Sequence, residues 1–255
     1  MMVLDVLGTG SGGNAYILHA GKSGDAMLLD AGLSYMTIVR RAAEINGKGL
    51  RGVSACLVTH EHNDHVKATN ELANIGIDVY ATKGTFEAAC IDMNTPRVRT
   101  VELLKPFSIG GFMVLPFPTQ HDAKEPCGFL IRYSETGETL LYATDTYYLR
   151  NTFPGVNYWL VECNYVDDVL NEQMRDGEVP VELRNRLLSS HMSLRRLKDT
   201  LVANDLTDTR VIVLCHLSDG RSSERQMIDE IHGLTGVEVV AAARGMRINL
   251  QLTPF

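Results

Sequence analysis

Short apolar runs and longer amphipathic stretches follow one another along the chain. The run at 53–58 is too short for a helix and stops at polar residues, which is typical of a buried strand. Residues 34–46 carry an apolar stripe between a serine start signal and Gly47, which is typical of a helix. Because strands and helices of this kind alternate in the first half, the pattern predicts an α/β fold.

The same patterns predict the remaining elements. Other strands are expected at 3–7, 15–19, 26–30, 78–81, 97–104, 111–117, 127–133, 139–143, 159–163, 211–215, 237–241 and 246–250. Other helices are expected at 68–75, 85–91, 166–175, 181–188 and 194–203. A last helix should begin after Ser223, because the order Ser-Glu-Arg-Gln at 223–226 fits a capping box.

Length and composition favour one domain. A chain of 255 residues that is 45% hydrophobic can bury a large core, and α/β folds of this length commonly form a single domain. We therefore predict one domain over 1–255. Within it, the polar stretch at 164–189 has helical patterning and is a candidate lid over a site or surface for a homodimer.

Charge and cysteine content narrow the setting. The formal net charge of −7 disfavours a protein that coats long nucleic acid, although a local basic patch stays compatible with it. Five scattered cysteines without a CxxC pair argue against a disulfide framework and for a reducing compartment. No apolar run reaches membrane-spanning length, and the N-terminus lacks a basic lead. The expectation is a cytoplasmic protein, unprocessed and without a membrane partner.

Residues 59–65, Thr-His-Glu-His-Asn-Asp-His, carry three of the eight histidines in the chain. Neutral imidazole and carboxylate are the usual nitrogen and oxygen ligands of zinc and its neighbours. His60 and His62 would point to one side of an extended segment and could hold one ion, while Asp64 and His65 could turn toward a second. A polar loop with histidines facing water is the alternative. We call residues 59–65 the metal loop.

Three more candidate ligands stand at the ends of predicted strands. His121 follows the strand at 111–117, Asp145 follows the one at 139–143, and His216 follows the one at 211–215. A metal site at a sheet edge requires this placement. Taken alone, each of the three would more often be an ordinary polar group of a turn, so the metal loop is what turns them into ligand candidates.

The HxHxDH pattern after a strand that ends in Thr59 resembles the signature of the metallo-β-lactamase superfamily. The resemblance implies a four-layer αββα sandwich with metals at one edge between the two sheets. It also implies that Asp145 bridges two ions. The implied ligands are His60, His62 and His121 for one ion, and Asp64, His65 and His216 for the other.

The sequence segments around His121 and Asp145 especially resemble the corresponding segments of the YycJ/WalJ group, which is related to ribonuclease Z. In these relatives a glycine-rich turn like that at 8–14 borders the active site, so Asn14 is a candidate substrate contact. That turn lacks the Lys-Ser/Thr of a P-loop, and no nucleotide cofactor is expected. Asp30, in a Leu-Leu-Asp-Ala-Gly segment typical of the superfamily, should orient the metal loop from behind, with a turn-capping aspartate as the alternative.

Three further residues are candidates for work on the substrate. Glu162 and His191 are not needed for metal, and they match a pair that serves the leaving group in ribonuclease Z-like enzymes. The alternative for His191 is a structural histidine near a helix start. Arg221 is a candidate phosphate contact, with a solvated surface arginine as an equal alternative.

The expected function is that of a dinuclear metal hydrolase of phosphodiester bonds, a nuclease acting on DNA or RNA. Two ions would lower the pKa of a bridging water toward neutrality and clamp a phosphoryl oxygen. Zn²⁺ is expected from the imidazole content, and Mn²⁺ or Fe²⁺ also suits a site with carboxylates. Asp64 belongs to the catalytic set as well as to the ligands.

Other functions stay open. A cyclic-nucleotide phosphodiesterase similar to the phage anti-Pycsar enzymes is the first alternative, because the acidic net charge suits a small substrate. A thioester hydrolase is less favoured, since Glu162 and His191 would have no role, and a metal-binding protein without turnover is a further alternative. The chain lacks the flexible arm by which ribonuclease Z holds transfer RNA, which puts that substrate in doubt.

Overall fold

The computed structural model describes residues 2–21, 24–218, 220 and 222–250. The strands are β1 (Met2–Gly8), β2 (Ala15–Ala20), β3 (Asp25–Leu29), β4 (Val53–Leu57), β5 (Asp78–Thr82), β6 (Val98–Val101), β7 (Phe107–Ile109), β8 (Phe112–Pro118), β9 (Cys127–Tyr133), β10 (Thr139–Ala143), β11 (Tyr158–Glu162), β12 (Val211–Cys215), β13 (Glu238–Ala241) and β14 (Arg247–Asn249). The helices are α1 (Tyr35–Asn46), α2 (Asn63–Val66), α3 (Thr69–Asn74), α4 (Lys83–Ala88), α5 (Asp167–Arg175), α6 (Val181–Ser190), α7 (Leu194–Val202) and α8 (Glu224–Thr235).

The strands form two seven-stranded sheets, and both are mixed. The first has the order β14-β1-β2-β3-β4-β5-β6, with antiparallel neighbours from β14 to β3 and parallel neighbours from β3 to β6. The second contains β7 to β13 in chain order, antiparallel from β7 to β9 and parallel from β10 to β13. Parallel neighbours need crossover connections, and α1 supplies the one between β3 and β4.

The contacts divide the chain into two compact units. Unit 1 comprises 1–118, 123–139 and 242–255, and unit 2 comprises 119–122 and 140–241. This division into units does not test whether residues 1–255 form a single domain, so the single domain stays a prediction.

In unit 1, α1 packs an apolar face against the first sheet. Ile38 and Ala42 are buried in one core cluster with strand residues such as Leu28. The predicted start and stop are confirmed, since the Ser34 side chain accepts a hydrogen bond from the Thr37 amide and Gly47 ends the helix in the left-handed region at φ 69°. The amphipathic pattern thus fixes both the length of α1 and the face that it buries.

Every residue of β10, β11 and β12 is buried, and all of them except Thr139 belong to unit 2. Near-continuous apolar runs are what a parallel sheet requires when both of its faces are covered. The stretch at 164–189 forms α5 and α6, as its helical patterning predicts, around a small cluster of its own. The cluster contains Tyr165, Leu170, Val179 and Leu187. A role of this stretch as a lid or dimer surface stays a prediction.

Most predicted elements are present, and the differences have local causes. The strands at 127–133 and 139–143 have the predicted bounds, whereas the strand predicted at 97–104 is only the four residues of β6 and is followed by the separate, unpredicted β7. The helix predicted from residue 85 begins two residues earlier, because Thr82 caps it by accepting from the Thr85 amide at 3.2 Å.

The prediction of a capping box at 223–226 is wrong, although α8 does begin there. The Ser223 side chain makes no capping hydrogen bond. Gln226 donates instead to Glu230 Oε1, one turn further on, at 2.8 Å. An i, i+4 side-chain pair thus competes successfully with the cap. In the described part of the chain, no helix is both long and apolar enough to cross a membrane.

Candidate metal centre

In unit 1, the metal loop leaves the end of β4 and leads into α2. His60 Nε2 and His62 Nδ1 lie 3.1 Å apart, with the two rings edge to face. Nitrogen ligands about 2.0–2.1 Å from a tetrahedral ion stand roughly 3.3 Å from one another. The two imidazoles therefore have the separation that ligands of a single ion need, and they lie on one side of the segment as the alternation of an extended chain predicts.

Asp64 and His65 lie in the short helix α2, where the chain turns away from the strand. Asp64 Oδ2 is 3.6 Å from His65 Nε2, and the His65 side chain is fully buried while that of Asp64 is partly exposed. The rings of His60 and His65 are 4.2 Å apart between centroids. Four donors of the types that divalent metals prefer thus gather within seven residues of unit 1.

Asp30 lies behind the metal loop and is fully buried. Its Oδ1 accepts a hydrogen bond from the Thr59 amide at 2.8 Å, and its Oδ2 lies 2.7 Å from His65 Nδ1. These are the contacts that the predicted orienting role of Asp30 requires, and the role itself stays a prediction. Because Nδ1 of His65 is engaged by a carboxylate, the opposite nitrogen, Nε2, is the one presented to a metal.

Asn14, at the end of the glycine-rich turn, supports the metal loop from another direction. Its amide nitrogen donates to the Asp64 carbonyl at 2.8 Å, and its side-chain nitrogen lies 3.1 Å from His65 Nε2. The Asn14 side chain is fully buried, and its Oδ1 accepts from the Gly10 amide at 2.9 Å. The turn thus borders the candidate ligands. A direct contact of Asn14 with substrate stays a prediction.

Close backbone packing requires a glycine at position 32, two residues after Asp30. A Cβ at this position would lie 1.6 Å from the Asp64 carbonyl oxygen and 2.8 Å from the Asn14 amide nitrogen. Only a residue without a side chain allows backbone segments to approach so closely. The segment after β3 and the metal loop therefore fit together only with glycine at this position.

In unit 2, the two oxygens of Asp145 face different imidazoles. Oδ2 lies 3.7 Å from His121 Nε2, and Oδ1 lies 3.6 Å from His216 Nε2. All three side chains are at most 5% exposed. A carboxylate in this position can serve two cations, one through each oxygen.

The other ring nitrogens of these histidines are engaged by acceptors. His121 Nδ1 donates to the Ser190 carbonyl at 2.8 Å, and His216 Nδ1 lies 3.1 Å from Glu162 Oε1. Burial lowers the pKa of His121 below its ordinary value, although the charge of Asp145 works in the opposite direction. A neutral ring with its Nε2 toward the carboxylate is the form that binds metal.

Glu162, at the end of β11, is the buried centre of this half of the site. Its Oε1 lies 2.7 Å from His191 Nδ1, and its Oε2 accepts from the amides of Thr146 at 2.9 Å and Met192 at 3.1 Å. Burial disfavours charge on both partners. The Glu162 carboxylate nevertheless raises the pKa of His191, and His191 lowers the pKa of Glu162, so the pair favours its ionised form.

Ligand atoms of Asp145, Glu162, His191 and His216 all lie within 4.8 Å of one another. The His191 and His216 rings are stacked with centroids 5.3 Å apart. His191 is therefore placed either to transfer a proton or to bind metal itself, and geometry alone leaves both roles open. Arg221, the candidate phosphate contact, lies outside the described residues.

Three site residues have left-handed backbone conformations. The φ angles are 57° for Asp30, 46° for Asp145 and 53° for His216. Each residue directly follows, or comes two residues after, the end of a strand. Such conformations cost about 1–3 kcal/mol in non-glycine residues and concentrate at functional sites. The strain turns these side chains out of the strand direction at the point where ligands are needed.

Asn164 is a site residue that the sequence patterns did not indicate. It lies two residues after Glu162, its side-chain nitrogen donates to the His216 carbonyl at 2.9 Å, and it is 3.0 Å from His216 Nδ1. The sequence signal that could have identified Asn164 is its position just beyond the end of β11, a strand in the same sheet as β12. Asn164 holds the strained backbone of His216 in place.

This fold and this set of donors define a class of protein. The family model described as Beta-lactamase superfamily domain matches residues 26–217, and the chain belongs to that family. The predicted metallo-β-lactamase fold, an α/β sandwich of two mixed sheets flanked by helices, is thereby confirmed. Together with the clustered histidines and aspartates, the fold supports the binding of divalent metal ions.

The named relatives belong to the YycJ/WalJ group, which the sequence segments around His121 and Asp145 resemble. The chain is 34% identical over 227 residues to the exodeoxyribonuclease YycJ of Bacillus anthracis, which covers 84% of this chain and 81% of that protein. It is 29% identical over 250 residues to the exodeoxyribonuclease WalJ of Streptococcus pneumoniae (strain ATCC BAA-255 / R6), covering 93% and 88%. The metallo-β-lactamase fold protein YhfI from Bacillus subtilis shares the fold, with a TM-score of 0.71 at 16% identity over 97% of this chain and 98% of that one.

Substitution of Gly32 by alanine tests the close approach of the backbone. Its Cβ would overlap the Asp64 carbonyl, so the metal loop must shift, and we expect a lower melting temperature and a lower metal content after loading. Gly12→Ala is the matched control, because a Cβ at this position in the glycine-rich turn at 8–14 meets nothing within 4 Å. Melting curves and elemental analysis check both variants. Equal stability and metal content in the two would contradict the packing argument.

Asp30→Asn tests the orientation of His65. Asparagine tolerates the left-handed backbone of this position, so the main change is the loss of the carboxylate that holds His65 Nδ1. Loss of such a partner weakens metal binding about 10–100-fold, which competition with a chelator measures. Asp229→Asn, at a surface position that is 69% exposed, should bind metal like the wild type. Unchanged affinity in Asp30→Asn would show that the metal loop orients His65 without it.

Proposed function

We propose that the protein is a metal-dependent nuclease that hydrolyses phosphodiester bonds of DNA, and that it shortens the strand from an end. The support comes from the similarity to two exodeoxyribonucleases over 84% and 93% of the chain. The observation that carries the proposal in this molecule is the buried Glu162–His191 pair beside Asp145. A site that only stores metal has no use for a positioned proton carrier.

We further propose that two ions bind per chain and that Asp145 is shared by both. The 3.1 Å separation of the His60 and His62 nitrogens supports a first ion. The two-sided position of Asp145 between two imidazoles supports the sharing. The proposed ligands are His60, His62 and His121 for the first ion, and Asp64, His65 and His216 for the second. Zn²⁺ is the proposed metal, with Mn²⁺ or Fe²⁺ as alternatives because carboxylate-containing sites accept several ions.

Divalent ions, when bound, supply a water activated at neutral pH and positive charge for a phosphoryl oxygen. The residues of the chain do the rest. Asp30 holds His65 in one orientation through Nδ1, and the Ser190 carbonyl fixes the tautomer of His121. Such preorganisation means that the ligands need not rearrange during the reaction.

His191 is the proposed proton donor to the departing oxygen. Its Nδ1 is held by Glu162, so its Nε2 is the nitrogen that would give a proton to the leaving group. Because Glu162 is fixed by two backbone amides as well, the imidazole has a defined direction. Glu162 acts here as a positioning residue.

A cyclic nucleotide is the second candidate substrate. The net charge of −7 favours a small substrate over a long polyanion. The same metal ligands and the same proton donor would serve either substrate. We also propose a cytoplasmic location, which the free cysteines support. A homodimer stays a prediction.

Direct assay of substrates and metals tests the function. Protein loaded with Mn²⁺ or Zn²⁺ should shorten labelled DNA, and elemental analysis should find two ions per chain. The double variant His60→Ala/His62→Ala should lose metal and activity, because two of the proposed ligands are gone. His232→Ala is the control, since this histidine is not among the proposed ligands and its Nδ1 donates to the Val237 carbonyl at 2.7 Å.

Two results would contradict the proposal. Hydrolysis of cyclic nucleotides, with single- and double-stranded DNA and RNA left intact, would favour the second candidate. At most one ion per chain in the best sample, or full occupancy in the double variant, would overturn the ligand assignment. Parallel assay of a thioester tests the remaining hydrolase class.

His191→Ala tests the proton donor. A positioned acid contributes about 10²- to 10⁴-fold in rate, so kcat should fall by roughly that factor while both ions are retained. The defect should shrink on a p-nitrophenyl phosphodiester, whose leaving group needs no proton. Glu162→Gln should show a smaller defect of the same kind.

The matched measurement is metal content. Loss of metal in His191→Ala would make His191 a ligand, in keeping with its place among the four clustered donors of unit 2. A wild-type rate on DNA with both ions present would leave it only a structural role. Either outcome overturns the assignment as proton donor.

A further inference from the structure

A pocket of about 330 Å³ lies on unit 1, and three of its lining residues are arginines. None of these residues belongs to the proposed metal ligands or to the Glu162–His191 pair. Arg40, Arg41, Glu44 and Ile45 come from α1, and Arg244 and Gly245 come from the turn before β14. A cluster of positive charge is unexpected in a chain with a net charge of −7.

The fold builds this cluster from two distant parts of the chain. The turn that carries Arg244 is fixed to β1, because the Gly245 amide donates to the Val6 carbonyl and the Val6 amide donates to the Met246 carbonyl, both at 2.9 Å. Arginines about 200 positions apart are thereby brought to one pocket. The pocket is therefore a product of tertiary structure and not of a basic run in the sequence.

Arg41 is anchored at the wall of the pocket. Its Nη1 donates to the Leu7 carbonyl at 2.8 Å, and the residue is partly buried. A guanidinium carries five N–H donors in a rigid plane, so one backbone bond fixes its position and leaves donors for a ligand. This geometry suits the two-point binding of a phosphate.

The charges of the pocket are poorly compensated. Burial and the nearby charges of Arg244 and Arg40 lower the pKa of Arg41, and the charge of Glu44 offsets only part of this shift. Glu44 is the acidic residue in the lining, and it lies 3.8 Å from Arg40 in a pair whose side chains are both more than 60% exposed. An exposed pair of this kind contributes little. Among the residues that the structure describes, no carboxylate forms an ion pair with Arg41 or Arg244.

We propose that Arg40, Arg41 and Arg244 form a phosphate-binding pocket that holds a phosphate of the nucleic-acid strand away from the metal ligands. The choice of a strand rests on the proposed function, whereas the phosphate chemistry rests on the arginines alone. A phosphate oxygen can accept hydrogen bonds from more than one guanidinium, and its charge relieves the repulsion among them. Because the protein is acidic elsewhere, a local basic pocket is what a polyanionic strand would need.

The location in unit 1 supports this assignment. Arg41 Nη1 lies 3.4 Å from the position that a Cβ of Gly8 would take. Gly8 opens the glycine-rich turn, and Asn14 at the end of that turn bonds the Asp64 carbonyl and contacts His65. The pocket thus adjoins the turn that supports the metal loop, where a strand bound at the candidate ligands could continue.

Binding to a fluorescent single-stranded oligonucleotide with cleavage-resistant linkages tests the strand. The metal-loaded wild type, Arg244→Gln and Arg41→Gln are compared over a range of salt concentrations. Each arginine variant should bind about tenfold more weakly at low salt, and its salt slope should fall by about 0.7 for each lost phosphate contact. Arg225→Gln removes the same charge at a site that is 94% exposed, and it should match the wild type.

Calorimetric titration with inorganic phosphate tests the pocket itself. The wild type and Arg225→Gln should each bind one phosphate ion more per chain than Arg244→Gln. Any phosphate bound at the metal site is common to all three proteins and cancels in this comparison. Arg244 is exposed, so this variant stays informative if Arg41→Gln fails to fold.

The outcomes are distinct. Loss of phosphate binding with unchanged oligonucleotide affinity would assign the pocket to a free phosphate or nucleotide and overturn the strand. No change in either measurement would overturn the pocket. A wild type that neither binds nor cleaves nucleic acid would refute the proposed function, and the phosphate titration would then decide the pocket alone.

Discussion

The contact of Asp30 with the metal loop is the interaction on which unit 1 depends. One buried carboxylate fixes the Thr59 amide with one oxygen and the His65 ring with the other. To reach both, Asp30 leaves β3 in a left-handed conformation, and the chain then passes so close to Asp64 that Gly32 has no alternative. The strain at Asp30 is thus offset by bonds that only this conformation can make.

In unit 2, Glu162 is the buried carboxylate that corresponds to Asp30 in unit 1. A buried carboxylate is stable only when its acceptor sites are filled, and here two backbone amides and two imidazoles fill them. Both units therefore use a carboxylate at a strand end to orient histidines. The difference is that Asp30 engages a candidate ligand alone, whereas Glu162 engages a candidate ligand and a candidate proton donor together.

The sequence predicted these features unequally. Spacing in the metal loop and polar residues at strand ends, together with the family resemblance, identified candidate donors, because alternation and strand termination are local properties. The support of His216 by Asn164 depends on a neighbour distant in the chain. The capping failure at Ser223 has a local cause, because Gln226 bonds Glu230 and not the start of the helix. The arginine pocket could not be predicted at all, since Arg41 and Arg244 meet only after β1 has paired with its neighbours.

The arginine pocket also shows that net charge alone does not determine which substrate can bind. Exposed charges more than about 10 Å apart are largely screened at 0.1 M salt, so a ligand responds to the residues around it and not to the total of −7. An acidic surface beyond the pocket would repel a strand laid down elsewhere. Acidic net charge and a local cluster of arginines therefore act in the same direction: together they confine a polyanion to one path, whereas a uniformly basic surface would bind it in many registers.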